Sequence, residues 1–231
     1  GHLAAAYVVA LATMIFTAVS YARMSGAVPV AGSAYSYTQQ TFGGHVGFIT
    51  GWTLMLDYLF LPMINFLLIG IYMNTQFPAV PAWVFALGGL LLVLALNVLG
   101  INFVGRFSGA IVAVSCVLIV VFVALSVNQL AGTGVPALLE PFSFGDGGFG
   151  PIYAGAAVLS LSFLGFGAVS TLSEEARDAR RNIPRAIVLT TVLGGLLFIV
   201  VAWVGALVFP DWQSFTALDS AGVELMAKVG G

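Results

Sequence analysis

The chain has 231 residues, of which 60% are hydrophobic and 7% charged, with a net charge of −2 and a mean hydropathy of +1.08. Soluble domains carry about a quarter charged residues, so this balance excludes an ordinary water-soluble fold and indicates an integral membrane protein with no nucleic-acid partner. The lone cysteine, Cys116, leaves no disulfide framework and no cysteine metal site, and a buried structural thiol is expected.

A charge at the bilayer centre costs about 2.5–3.5 kcal/mol on insertion scales, so the charges mark where spans end. Six spans result, at approximately residues 2–22, 46–73, 82–104, 107–130, 152–171 and 187–209. All are expected to be helical, because lipid leaves every backbone polar group to be satisfied within the chain. The fold class is therefore all-α integral membrane, read as a single transmembrane domain. Arg23, Arg106, Arg177, Arg180, Arg181 and Arg185 fall on one side of the alternating connections and Lys228 stands alone on the other. The positive-inside rule makes the Arg-bearing loops cytoplasmic and the protein multi-pass in the cytoplasmic (inner) membrane. The first span then starts outside, which implies a span before it. The stretch after Phe209 stops without a terminating feature, so the chain is expected to be a fragment.

The second span carries Asp57 near its middle. Thr50, Thr53, Asp57 and Asn65 share a face about 120° wide at 100° per residue, which turns this acid toward the bundle rather than lipid. Pro62 removes one helical hydrogen bond and displaces the Tyr58 carbonyl, so a kink is expected beside Asp57. Two roles stand open for the carboxylate: a partner for a cationic substrate or proton, or a structural acid bonded to neighbouring helices. Gly43, Gly47 and Gly51, and likewise Gly105 and Gly109, recur at a spacing that lets helices approach closely.

In the fifth span, "SFLGFGAVSTLSEEARDARRNIPRAI", Ile152 to Leu164 reads as a short helix, Gly165 to Gly167 as a break, and Ala168 to Ser173 as a second half-helix. Two glycines so close weaken a helix by about 1 kcal/mol each. A break at membrane depth is tolerated where it is buried in protein or lines a cavity, and half-helix ends then offer backbone groups to polar ligands. Glycines that merely permit packing are the other reading. Glu174, Glu175 and Arg177 begin a charged elbow, with Pro184 opening the next helix. These acids and arginines either pair across an inner gate or form a solvated loop that sets topology.

The segments "PVAGSAYSYTQQTFGGHVGFITGWTLMLDYLFLPMIN" and "SFLGFGAVSTLSEEARDARRNIPRAI" resemble the amino acid, polyamine and organocation permeases. The "GSAYSY" loop, the "LDYLFLP" helix and "FLGF…TLSEE…IPRAI" most resemble bacterial putrescine importers. The resemblance covers essentially the whole chain. It implies a partial inverted-repeat (5+5) transporter fold with a discontinuous sixth helix, the spans here matching the second through seventh. It further implies a small-molecule amine or amino acid substrate contacted by Asp57, Tyr58, Phe163, Leu164, Gly165, Phe166 and Gly167, within a lipid bilayer. The sequence departs from the family pattern twice. Gly167 stands where these permeases commonly carry an acid in a "GFD" motif, and "GAIVAVSCVLIVV" has Ser115 and no lysine where some proton-coupled members carry one. The coupling ion, H+ or Na+, is left open, as is the oligomeric state, and no cofactor or metal is implied.

A secondary transporter working by alternating access accounts for the broken helix, the intramembrane acid and the one-sided arginines together. A channel lacks a filter ring or carbonyl signature in the sequence. A membrane-embedded enzyme lacks a metal cluster, a nucleophile elbow or a histidine–acid pair. Within the transporter reading, a neutral or basic amino acid permease or exchanger is the alternative to a polyamine importer.

Overall fold

A computed structural model describes residues 2–133, 138–142, 148–209 and 225–226. The tail that includes Lys228 lies almost wholly outside the described residues. Seven α-helices appear among them: α1 (Leu3–Ala27), α2 (Ser33–Phe42), α3 (Gly44–Gln76), α4 (Ala82–Val98), α5 (Ile101–Thr133), α6 (Gly150–Leu159) and α7 (Ala179–Val208). α6 continues as 3-10 helix over Ser160–Phe163 and again over Phe166–Glu174. No strand occurs among the described residues, and α1, α3, α5, the broken segment Gly150–Glu174 and α7 are each long and apolar enough to cross a membrane. The chain is an all-α, multi-pass membrane protein, and α4 is a shorter apolar helix of 17 residues.

Several boundaries differ from those read in the sequence, each for a local reason. The turn expected near Gly105 and Arg106 lies at Leu99 and Gly100, where Gly100 takes a left-handed φ of 96°. α5 then runs through Arg106 unbroken, since a charge one to two turns from a helix end can reach the membrane surface. The "GSAYSY" stretch, expected as a loop, is the start of helix α2. α7 begins at Ala179, ahead of Pro184, because Asp178 at φ 49° reverses the chain and its carbonyl accepts the N–H groups of Arg181 and Asn182. Cys116 is exposed rather than buried.

By contacts the chain divides into two compact units: Gly1–Leu56 with Pro136–Leu207, and Asp57–Val135 with Val208–Gly231. The first is built on small residues. Ala4, Ala5, Ala6, Ala10, Ala18 and Ala22 are buried along α1, which packs on α6 closely enough that a Cβ on Gly155 would lie 3.3 Å from that of Ala6. Ile152, Ala156 and Phe163 join Ala5, Ala6, Ala10 and Leu11 in one cluster, and Ala18, Ile183 and Ile187 form another. Ile183, Ile187, Thr191 and Gly195 recur every four residues on α7, giving it one buried face. Gly47 and Gly51 accept α2, Gly47 against Gln39 and Gly51 against the Tyr35 ring, whereas Gly43 serves as a left-handed turn at φ 91°. Trp203 Nε1 donates to the Leu138 carbonyl at 2.8 Å, tying residues 138–142 to α7.

In the second unit α3 and α4 meet where Gly70 sits against the Ala82 backbone and Gly89 against Phe66 and Ile69. No described atom lies within 4 Å of where a Cβ would stand on Gly105 or Gly109, so the close packing expected there has no partner among the described residues.

Candidate functional site

The break falls at Leu164 and Gly165. Phe163 ends the first 3-10 turn, Leu164 is extended with ψ 143°, and Gly165 takes φ 104°, a left-handed conformation that L side chains rarely adopt. From Phe166 the chain resumes as a nine-residue 3-10 helix, long for a form usually confined to three or four residues. Its sequence explains the choice. Ser170, Thr171 and Ser173 donate their hydroxyls to the carbonyls of Gly167, Ala168 and Ser170, three residues back in each case, which reinforces the tighter winding.

Each half is held from outside. Before the break, the hydroxyls of Tyr7 and Ser162 lie 3.3 Å apart, and Tyr7 stacks on Phe198 with ring centroids at 5.6 Å. Phe163 is 6% exposed, its ring set edge-on to Phe198 at 5.6 Å and packed beside Leu11 and Gly195. After the break, Phe166 is half-buried, edge-on to Tyr21 at 5.5 Å. The Ser33 hydroxyl donates to the Gly167 carbonyl at 3.3 Å, and the Gly165 carbonyl accepts the Ala168 N–H at 3.0 Å. Two of the break's carbonyls are thus already engaged by protein donors. Leu164 is 43% exposed and Gly165 is also open, so this stretch of the break is its accessible part.

Beneath Gly167 lies a buried set of hydroxyls. Ser25 and Ser170 are wholly buried, and Ser33 and Ser173 nearly so. Ser25 donates to the Ala22 carbonyl at 3.0 Å. The Tyr37 oxygen is buried there without a well-directed hydrogen bond among the described residues. Burial pushes its hydroxyl above the ordinary tyrosine value, against the opposing effect of the Ser170 and Ser25 hydroxyls beside it, so it is neutral at physiological pH. Among the described residues, a Cβ at position 167 would meet only the Tyr21 ring, at 3.4 Å, an ordinary van der Waals contact.

The elbow residues are exposed. Glu174 Oε1 accepts the Ala31 N–H at 3.3 Å, while Glu175 and Arg177 make no ion pair among the described residues. Asp57 and Tyr58 lie on α3 at the start of the other compact unit. Asp57 is half-buried and has no ion-pair partner among the described residues. Tyr58 lines an apolar groove of about 400 Å³ between α3 and α4 with Pro62, Phe66, Leu87 and Leu90. Thr50, Thr53 and Asn65, on Asp57's face, each donate to their own helix four residues back. The described residues contain no cluster of histidine, cysteine or carboxylate side chains able to hold a metal.

Sequence reasoning did not single out Ser33, Tyr37, Tyr7, Ser162 or Gly195. Ser33 and Tyr37 had a readable signal, a polar pair at the i, i+4 spacing that shares one helix face. It becomes informative only once "GSAYSY" is known to be helical.

Residues 1–225 match the amino acid permease family model. The chain is 41% identical over 234 residues to the low-affinity putrescine importer PlaP of Escherichia coli (strain K12), an alignment covering 100% of this chain and 52% of the relative. It is 28% identical over 254 residues to the branched-chain amino acid permease BcaP of Bacillus subtilis (strain 168), covering 98% of this chain and 53% of that one. The L-asparagine permease of Salmonella typhimurium is 26% identical over 215 residues, covering 87% and 42%. The chain spans about half the length of the curated relatives it matches. With a family match across nearly every residue and a helix that breaks at Leu164 and Gly165, the chain belongs to the amino acid permease family.

Proposed function

We propose that this chain supplies part of a secondary active transporter that moves a small amine or amino acid, putrescine or a related diamine first among them, across the cytoplasmic membrane by alternating access. The observation that carries the reading is the break itself. A left-handed glycine between two 3-10 segments frees backbone groups at mid-span, where a bilayer tolerates none unless protein or a ligand satisfies them. Leu164 and Gly165 present the accessible part of the site. Phe166 and Gly167 form its wall, and Phe163, docked in the core, fixes the first half-helix behind it. Asp57 serves the cation and Tyr58 stands beside it on α3. The arginine-bearing helix ends and the elbow at Arg177 lie on the cytoplasmic side. There Glu174, with its bond to Ala31, is the gating contact, and Glu175 and Arg177 flank it. No chemistry on the substrate is involved, and symport with H+ or Na+ supplies the driving force.

One observation favours a second reading, a neutral or basic amino acid permease. Gly167 provides no carboxylate where these permeases commonly carry one. Uptake of labelled putrescine into cells carrying the intact gene decides between them, with competition by diamines and by neutral, basic and acidic amino acids, and with the proton gradient collapsed. Saturable uptake blocked only by diamines is expected. Inhibition chiefly by amino acids selects the second reading, and an absence of saturable uptake of both classes removes the transport proposal for these substrates.

A further inference from the structure

The turn between α1 and α2 grips the second half of the broken helix at separate points. The Ala31 N–H donates to Glu174 Oε1 and the Ser33 hydroxyl to the Gly167 carbonyl, both at 3.3 Å. Tyr37, one helical turn beyond Ser33, sets its ring edge-on to Tyr21 at 6.2 Å and buries its hydroxyl beside Ser25 and Ser170. Ser33 is 2% exposed and Ser170 is fully buried, so water does not compete for these positions in this conformation.

Ser33 also sits in an unusual backbone conformation. Its φ is 48°, in the left-handed region that a residue with a Cβ adopts only at a cost. Gly32, immediately before it, tolerates such a conformation freely yet holds an ordinary φ of −76°. The strained residue is the one whose hydroxyl reaches Gly167. The carbonyl it reaches is shared with Ser170 of the same 3-10 segment, so the outside bond and the internal winding meet on one oxygen.

We propose that Ser33 is a positioning residue for the second half-helix: its hydroxyl, together with the Ala31–Glu174 bond, latches residues 167–174 to the α1–α2 turn, and release of this latch lets the half-helix move. The inference rests on the transport reading of the break. Relief of the left-handed backbone at Ser33 offsets part of what the broken hydrogen bonds cost, which keeps latched and released states close in free energy, as a protein that must visit both requires. The function of Ser33 is then to set how often the half-helix is free.

A buried reporter reads this directly. In the intact gene product, with the exposed Cys116 and any cysteine outside this chain replaced by serine, Ser170→Cys places a thiol of similar size at a fully buried position of the latched segment. The rate of its labelling by a water-soluble maleimide, in membranes without substrate, measures release. Ser33→Ala removes the hydroxyl and keeps the strained backbone, and is expected to raise labelling about fivefold, the population change for one hydrogen bond of ordinary strength, whereas Ser33→Gly also removes the strain of the latched state and is expected to raise it less. A residue that merely shaped the turn would behave otherwise: Ser33→Ala keeps the Cβ and the backbone preference, so it would label at the wild-type rate, and that result overturns the proposal. Should the Ser33 variants not reach the membrane, Glu174→Ala decides, because it alters an exposed side chain and leaves Ser33 in place. A rise of about fivefold there supports the latch, and an unchanged rate overturns it. Because labelling is read without substrate, a rise in a protein that takes up neither diamines nor amino acids would keep the latch and remove the transport reading.

Discussion

Pro62 and Gly165 each interrupt an apolar span, and the chain treats them oppositely. Proline is the stronger helix breaker, costing about 3 kcal/mol in a helix interior against about 1 for glycine. Yet α3 runs its full 33 residues through Pro62, while the broken span gives way at Leu164 and Gly165. The surroundings account for this. On α3 the polar side chains Thr50, Thr53 and Asn65 turn back onto the carbonyls of Val46, Ile49 and Leu61 in their own helix. At the break the hydroxyls of Tyr7 and Ser33, from α1 and α2, reach Ser162 and Gly167. The span that breaks is thus the one that neighbouring elements hold by hydrogen bonds on both sides of the break, and the intrinsic strength of the breaker matters less.

The sharpest way to test that contrast is Gly165→Val. A β-branched residue at φ 104° is expected to cost about 3 kcal/mol and so to lower uptake by the intact gene product about 100-fold at normal membrane abundance. Wild-type uptake would mean that the left-handed glycine is dispensable. Next in size, Asp57→Asn is expected to raise the half-saturation concentration for diamines about tenfold and to spare neutral amino acids, the loss of one charge-assisted hydrogen bond. Equal uptake of diamines by mutant and wild type would make Asp57 scaffold and shift the substrate contact toward the broken span.

Gly195→Ala probes the packing that holds the first half-helix. Its Cβ would collide with Leu11 Cδ1 and lie 2.9 Å from Phe163 Cε1, so destabilisation of about 1–3 kcal/mol is expected from thermal unfolding in detergent. Leu11→Ala in the same chain should recover part of it; no recovery would show that the Phe163 ring, not Leu11, bears the crowding. The smallest effect belongs to Pro62→Ala, for which uptake is expected within twofold of wild type because α3 already continues through that position. A tenfold loss there would erase the contrast and give the proline a role like that of Gly165.

Much of the architecture was legible in the sequence because its causes are additive along the chain. Charges are excluded from hydrocarbon one residue at a time, so their spacing places the spans and gives the all-α class. The glycine pair in "FLGFGA" likewise points to the break, since propensity is local, although Gly167 itself lies inside the 3-10 helix that resumes at Phe166. The boundary near Gly100 escaped because Arg106 is tolerated inside a helix when its long side chain can reach the membrane surface. Helix α2 escaped because its polar sequence carries little of the apolar periodicity by which spans are recognised.

By itself, then, the sequence determined that this protein lives in a bilayer, that it is all-helical, which apolar span is interrupted and to which family it belongs. Only the tertiary structure decided what the break rests on. Phe163 faces into a core made by α1 and α7, the Gly167 carbonyl is already engaged by Ser33, and Glu174 bonds a backbone N–H where an arginine partner was conceivable. The physical reason is one of range. Lipid acts on every residue alike and is read from composition, whereas a hydrogen bond between residues 134 positions apart exists only once the chain has folded to bring them within 3.3 Å.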